Sequence, residues 1–171
     1  MSWDDDARWG SRSREGYDAM QVCRNGHLVN SMARTSAQYN EKFCSKCGAQ
    51  TITNCERCSA EIRGYYHREN VFGGGPNEAP RFCHECGAAY PWQQAAMEAL
   101  TELLKDEGLS ESDIEAVTKA LPDVVQETPR TETASFKIKR VLTKLGKEAY
   151  GVAIKVVSDV ASEAAKKALG L

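Results

Sequence analysis

Seven cysteines and one histidine in the first half of the chain fall into four pairs with the spacing of metal ligands. Three pairs are C-x-x-C, and the fourth is C-x-x-x-H. The pairs are Cys23/His27, Cys44/Cys47, Cys55/Cys58 and Cys83/Cys86. Thiolate sulfur and imidazole nitrogen bind Zn²⁺ tightly, and the ion takes four such donors in a tetrahedron. The eight donors therefore predict two structural Zn²⁺ ions with no cysteine left over.

The order of the four pairs allows two ways of sharing the donors. Sequential pairing joins the first pair with the second and the third with the fourth. Interleaved pairing, as in RING-type folds, joins the first pair with the third. Only residues 48–54 separate the second pair from the third, and they are typical of one short strand between two modules. The sequence therefore favours sequential pairing.

Each C-x-x-C pair predicts a tight turn, called a knuckle below, that places both sulfurs on one side of the backbone. The residue after the second cysteine often needs a positive φ, which favours glycine. Gly48 and Gly87 occupy this position, whereas Ser59 follows Cys58. Two knuckles joined by a β-hairpin form a zinc ribbon. The predicted fold for residues 17–92 is therefore a small metal-stabilised β region made of tandem zinc ribbons.

Two segments around these knuckles are near repeats with the pattern basic-Phe-Cys-x-x-Cys-Gly-Ala, at residues 42–49 and 81–88. With the stretch FCSKCGAQTITNCERCSAEI, this pattern resembles the double zinc ribbon family over residues 22–88. The chain departs from that family at the C-x-x-x-H pair and at Ser59. The whole chain, through YDAMQVCRNGH, GYYH and CHECGAAYPW, is also similar to an uncharacterised bacterial zinc-ribbon family. This second resemblance implies no activity.

The composition changes after Trp92, and the rest of the chain has no cysteine, histidine or tryptophan. Residues 93–133 are predicted to be short acidic helices and a linker. An apolar stripe at helical spacing predicts the first helix over Gln93–Asp106. Ser110 is the expected N-cap of a second helix that ends near Ala120, and Pro122 is expected to begin a turn.

Beyond the linker at residues 128–131, residues 134–171 are predicted to form one long basic amphipathic helix. The 3.6-residue apolar period persists from Ala134 to Leu169, which corresponds to about 54 Å of helix. Neither preceding helix is long enough to cover that stripe. The pattern therefore predicts a homo-oligomer that assembles through residues 134–171, or another docking surface.

The bulk composition excludes some classes of protein. The formal net charge is -2 with a pI near 6.0, which does not indicate a general nucleic-acid binder. No apolar run of 18 residues predicts a membrane span. Residues 1–16 are polar and charged, which predicts disorder, and they lack the apolar stretch of a secretory signal. Paired cysteines without an export signal favour a cytoplasmic metal protein over a disulfide scaffold.

The sequence predicts no catalytic residues. Eight donors for two ions leave neither ion an open position for water, as catalytic zinc requires. Glu56 and Glu85 are expected on exposed knuckle turns, and Gly73 lies in a predicted hairpin tip that lacks the residues of a phosphate loop. His67 and His84 are expected in ribbon packing or on the surface.

Three functions are compatible with these features. The favoured prediction is a non-catalytic adaptor whose ribbons recognise an unidentified protein partner and whose C-terminal helix assembles or docks. The alternative of nucleic-acid binding rests on the aromatic and basic stretch Arg63–Arg68, but the zinc-loaded module carries a charge near -1 by count. The third alternative is an effector that meets a membrane surface through the C-terminal amphipathic helix.

Overall fold

The computed structural model describes residues 15–69 and 73–171, and the chain forms two compact units, residues 1–90 and 91–171. The predicted disorder of residues 1–14 lies outside the described residues. Gly16, which was included in that prediction, begins the first strand.

The described residues of the N-terminal unit contain two small antiparallel sheets. Their strands are β1 (Gly16–Ala19), β2 (Gln21–Cys23), β3 (Leu28–Asn30), β4 (Thr51–Ile52) and β5 (Arg63–His67). Strand β1 pairs with β5, and β2 lies between β3 and β4. A 3-10 turn covers Ala37–Tyr39. This small β region agrees with the coarse prediction, whereas its assignment as two zinc ribbons stays a prediction.

The C-terminal unit consists of five helices around an apolar core. The helices are α1 (Pro91–Asp106), α2 (Glu111–Gln126), α3 (Thr131–Leu142), α4 (Lys147–Val160) and α5 (Glu163–Leu169). The fully buried core side chains include Leu100, Leu104, Val117, Val124, Ile138, Leu142 and Val157. No helix in the described ranges is both long enough and apolar enough to cross a membrane.

The prediction of one continuous helix over residues 134–169 is wrong, because the chain breaks twice. Gly146 takes an extended conformation and precedes α4, as expected for a residue with poor helix propensity. At the second break the Ser162 hydroxyl accepts a hydrogen bond from the Ala165 N–H at 3.2 Å. The Ser162 N–H donates to the Val124 carbonyl near the end of α2 at 3.0 Å. The breaks let three short helices fold their apolar stripe into the unit's own core.

The predicted end of the second helix is also wrong. Ser110 caps α2 as expected, accepting a hydrogen bond from the Asp113 N–H at 3.3 Å. The helix then continues through Pro122 to Gln126. Proline inside a helix removes one hydrogen bond. Burial of Val124 and Val125 in the core offsets that cost, and tertiary packing overrides the local signal.

Candidate metal centres

The first candidate centre gathers Cys23, His27, Cys44 and Cys47, whose donor atoms all lie within 4.8 Å of one another. The Cys23 sulfur is 3.7 Å from the Cys47 sulfur. The imidazole presents Nδ1 to the group, at 3.5 Å from the Cys23 sulfur and 3.8 Å from the Cys44 sulfur. Binding through Nδ1 requires the histidine tautomer that carries its proton on Nε2.

The second centre gathers Cys55, Cys58, Cys83 and Cys86, again with all donor atoms within 4.8 Å. The Cys55 and Cys86 sulfurs are 3.8 Å apart, and the Cys58 and Cys83 sulfurs are 3.6 Å apart. These distances are far longer than the about 2.05 Å of a disulfide bond. The structure thus places the eight predicted donors in the two groups that sequential pairing predicts.

The separations fit a tetrahedral zinc ion. With a zinc–sulfur distance of about 2.3 Å, two sulfurs at a tetrahedral angle lie about 3.8 Å apart. The observed sulfur–sulfur distances range from 3.6 to 3.8 Å. Each group supplies four protein donors, so a bound ion would be closed to water. Both centres therefore have the donor set and spacing of a structural metal site, and each could hold one ion.

The backbone of each C-x-x-C knuckle explains why its sulfurs point the same way. The cysteine N–H donates to a carbonyl five residues later, at 2.8 Å in all three knuckles that begin at Cys44, Cys55 and Cys83. The residue after the second cysteine has a left-handed φ, of 71° at Gly48, 61° at Ser59 and 69° at Gly87. The predicted need for positive φ is therefore confirmed, and Ser59 adopts it without the freedom of glycine.

The C-x-x-x-H turn has a different closure. The Gly26 N–H donates to the Cys23 carbonyl at 2.8 Å, and the Cys23 N–H donates to the His27 carbonyl at 3.0 Å. Gly26 has a φ of 85°, which favours glycine at this position. The His27 N–H also points at the Cys23 sulfur, 3.3 Å away. One extra residue in the turn thus accommodates the larger imidazole.

Cys58 and Cys83 of the second centre have widely separated pKa values. Burial raises the pKa of Cys83. Hydrogen bonds from the backbone of Cys86 and Glu85 and from neighbouring thiols together lower it by more than burial raises it, so the pKa is about 6. For Cys58, a backbone hydrogen bond from Ala60 lowers the pKa, but burial and the adjacent thiols raise it to about 12. Four sulfurs this close cannot all ionise at neutral pH alone. A bound dication would supply the charge that stabilises four thiolates.

Tyr90 supports the second centre from the side of the protein. Its side chain is buried, and it hydrogen-bonds the Cys83 sulfur. Burial, followed by the charge and hydrogen bond of Cys83, raises the pKa of the tyrosine well above its usual value of 10. The phenol therefore keeps its proton and can donate a hydrogen bond to the thiolate. Hydrogen bonds of this kind orient metal ligands.

The knuckles of the two centres are also tied to each other. Arg24 follows Cys23 in the first centre, and its guanidinium pairs with the carboxylate of Glu56, which follows Cys55 in the second. Both side chains are about half-exposed. Glu85 is exposed and lies 3.9 Å from His84, so these predicted knuckle residues are at the surface as expected.

One polar network near the centres was missed by the sequence analysis. The Asp18 carboxylate is almost fully buried and accepts hydrogen bonds from the Thr35 hydroxyl at 2.6 Å and the Arg34 N–H at 2.9 Å. It also pairs with His67 Nε2 at 3.0 Å. Burial raises the pKa of Asp18, but these hydrogen bonds together lower it by more, so the pKa lies below the usual value of 3.8. The network joins β1 to β5 and to the chain after β3.

Comparison with known proteins gives one match. The family model described as uncharacterized protein conserved in bacteria (DUF2321) matches residues 16–169, so the chain belongs to this bacterial family. No curated protein and no solved structure matches the chain.

Proposed function

We propose that this DUF2321 member is a non-enzymatic, zinc-binding adaptor whose N-terminal unit recognises a protein partner. The supporting observation is the pair of closed four-donor groups, which use every cysteine of the chain. A closed site suits structural zinc and leaves no position for a metal-bound water. The role proposed for the two ions is therefore to hold a binding surface in shape.

The proposed binding surface is a file of four side chains on β1, on β5 and at the residue after β5, called the Tyr–Arg file below. Tyr17 and Tyr66 meet edge to face, with their ring centroids 4.8 Å apart. The Arg63 guanidinium lies 4.7 Å from the Tyr17 centroid, and the Arg68 guanidinium lies 5.3 Å from the Tyr66 centroid. Tyr17 is 48% exposed and Tyr66 is 38% exposed.

The chemistry of the Tyr–Arg file suits an acidic protein segment. Tyrosine and arginine are enriched among the residues that contribute most to protein interfaces. Stacking on tyrosine orders each guanidinium, which lowers the entropy lost when it pairs with a carboxylate. Among the described residues, neither Arg63 nor Arg68 has an ion-pair partner, so both guanidiniums can donate hydrogen bonds to an external carboxylate.

Single-stranded nucleic acid is the second candidate, because the same file offers aromatic rings beside cations. The two candidates differ in how they depend on charge and salt. Nucleic acid normally requires a broad basic excess, and its binding falls steeply with salt. Residues 21–91 carry eight basic and six acidic side chains, a small excess that favours the protein partner.

The test is a selection of displayed random peptides on the zinc-loaded full chain. We expect enrichment of acidic peptides that lose binding to the variant Arg63→Ala/Arg68→Ala. The matched control Arg57→Ala/Arg81→Ala removes two other arginines of the same unit. Equal binding of the selected peptides to the wild type and the Arg63/Arg68 variant would reject the surface. Tight, salt-sensitive binding of a single-stranded oligonucleotide, with no acidic peptide selected, would favour the second candidate.

For the helical unit we propose docking in preference to self-assembly. The apolar positions that led to the homo-oligomer prediction, such as Ile138 and Val157, are fully buried within the unit. The homo-oligomer therefore stays a prediction, but the apolar stripe that suggested it is used within the unit and no longer supports it. Light scattering of the full chain tests it, since a dimer or larger species would restore the self-assembly role.

A further inference from the structure

Helices α2 and α3 enclose a groove of about 610 Å³ that has an apolar floor and a basic rim. The floor is formed by Ala116, Ala120, Pro129, Ala134 and Val141. The rim carries Lys119, Arg130, Lys137 and Arg140, and Asp123 is the one acidic residue in the lining. The groove therefore combines an apolar surface with a strong local excess of positive charge.

The rim cations are largely free to meet an external anion. Lys119 pairs with Glu115, both of them exposed, and the Asp123 carboxylate accepts a hydrogen bond from the Thr128 hydroxyl at 2.7 Å. Within the described ranges, the side chains of Arg130, Lys137 and Arg140 form no ion pair within 4.0 Å, and all three residues are exposed. Arg140 is near enough to Asp113 to help lower the pKa of that carboxyl, but Asp113 forms its ion pair with Lys144. Exposed cations that are not neutralised internally attract anionic surfaces.

One aromatic side chain protrudes next to a rim cation. Phe136 precedes Lys137 on α3 and is 68% exposed. A protruding aromatic ring among lysines and arginines is the arrangement that binds a membrane interface, where the ring enters the headgroup boundary.

We propose that the α2–α3 groove and Phe136 form a peripheral docking surface for a membrane of anionic phospholipids. This deepens the docking role proposed for the helical unit and does not depend on the Tyr–Arg file. The apolar stripe that suggested membrane contact from the sequence is buried except at positions such as Val152, so the proposed contacting face is the polar side of α3 with its exposed ring.

A second copy of the chain is less suited to this surface. The neighbouring groove between α1 and α2 is the candidate acidic counterpart, but its lining sets Lys105 beside Glu98 and Glu102. A surface that carries both positive and negative side chains complements a basic rim weakly. An anionic membrane leaflet, by contrast, offers a continuous negative potential. Charge complementarity therefore favours the lipid surface.

The test is sedimentation of the zinc-loaded full chain with vesicles of phosphatidylcholine, with and without phosphatidylglycerol, at low and high salt. The wild type should bind only the anionic vesicles, and salt should weaken binding. Arg140→Glu should lower the partition coefficient about fivefold or more, since each basic residue near such a surface contributes about 1 kcal/mol. Lys155→Glu is the matched control, because this exposed lysine on α4 does not line the groove.

Substitution of the Phe136 ring gives a second, independent measurement of membrane binding. Phe136→Ala should weaken binding without unfolding the protein, because the side chain is mostly exposed. The Phe136→Trp variant should show a blue shift on anionic vesicles that the wild type does not show. Circular dichroism of each variant confirms that the helices remain folded.

Several outcomes would overturn the proposal. They are failure of the wild type to bind anionic vesicles, equal binding to neutral ones, or an equal loss in Lys155→Glu. Binding of soluble polyglutamate but not of vesicles would identify an acidic protein as the occupant. A molar mass that falls in Arg140→Glu, without vesicle binding, would identify a second copy. None of these outcomes bears on peptide selection by the Tyr–Arg file, so the two proposals can fail separately.

Discussion

The two units of this chain differ in the size of their apolar cores. Eight of the largest fully buried side chains belong to the helical unit, including Leu100, Ile138 and Leu142. Over residues 15–69 and 73–90, the N-terminal unit contributes four, namely Met20, Val22, Ile62 and Tyr90. A module with so small a core usually needs metals or disulfides to fold. A metal ion bound at each four-donor group would supply the stabilisation that apolar burial supplies in the helical unit.

The largest expected effect follows from removing the metal. A strong chelator should unfold the N-terminal unit, because binding of a structural zinc contributes about 10–16 kcal/mol of folding free energy in small zinc modules. Cys44→Ser should unfold only the part of that unit around the first centre. The helical unit should keep its far-ultraviolet circular dichroism. Amide hydrogen exchange resolved by unit is the measurement, and equal loss of protection in both units would contradict the contrast.

A cavity in the helical core should give the opposite pattern. Leu142 is fully buried, so Leu142→Ala should destabilise this unit by about 2–5 kcal/mol. Zinc content should stay unchanged, because no donor lies in the helical unit. Phe136→Ala is the control, since that ring is exposed and its loss should change the unfolding free energy by about 0.5 kcal/mol or less. Urea denaturation provides the values.

Two glycine substitutions compare the packing of the units directly. A Cβ on Gly64 would lie 2.1 Å from the Ser31 carbonyl oxygen, a backbone atom that cannot move alone. Gly64→Ala should therefore destabilise the N-terminal unit by about 3 kcal/mol. Gly151 lies within α4 with open space around it, so Gly151→Ala should stabilise the helical unit by up to about 1 kcal/mol. Thermal unfolding measures both, and similar shifts would refute this account.

The smallest effect concerns the one C-x-x-C knuckle that lacks glycine. Ser59 has a φ of 61°, and a left-handed conformation costs a non-glycine residue about 1–2 kcal/mol. Ser59→Gly should relieve this strain at some entropic cost, for a net gain of about 0.5 kcal/mol. Ser45→Gly, at a position without positive φ, should instead destabilise. Chelator competition measures how tightly each variant holds zinc, and a loss in Ser59→Gly would contradict the prediction.

The metal donors could be predicted from the sequence because their signal is local. A pair of donors three or four positions apart is positioned by one turn, and eight donors divide into two sets without remainder. The same reasoning predicted left-handed φ after the second cysteine and the cap at Ser110. In each case the interacting atoms are close in sequence.

Features that depend on distant contacts could not be predicted in this way. The apolar period runs unbroken past Gly146 and Ser162, because helices on either side of a break face the same core. In the sequence, Gly146, a residue with poor helix propensity, was the signal for the break between α3 and α4. The Asp18–His67 contact joins residues 49 positions apart, and the Tyr–Arg file depends on the pairing of β1 with β5. Neither pairing has a local signature.

The central claim is that two closed four-donor sites each hold one structural zinc ion. Native mass spectrometry of the full chain, purified without added metal, tests it most directly when wild type and Cys44→Ser are compared. We expect two zinc ions per wild-type chain and the loss of the first-centre ion in the variant, with the Cys55–Cys86 centre still loaded. A wild type without zinc, or a Cys44→Ser variant that keeps two ions and an unchanged charge-state distribution, would contradict it.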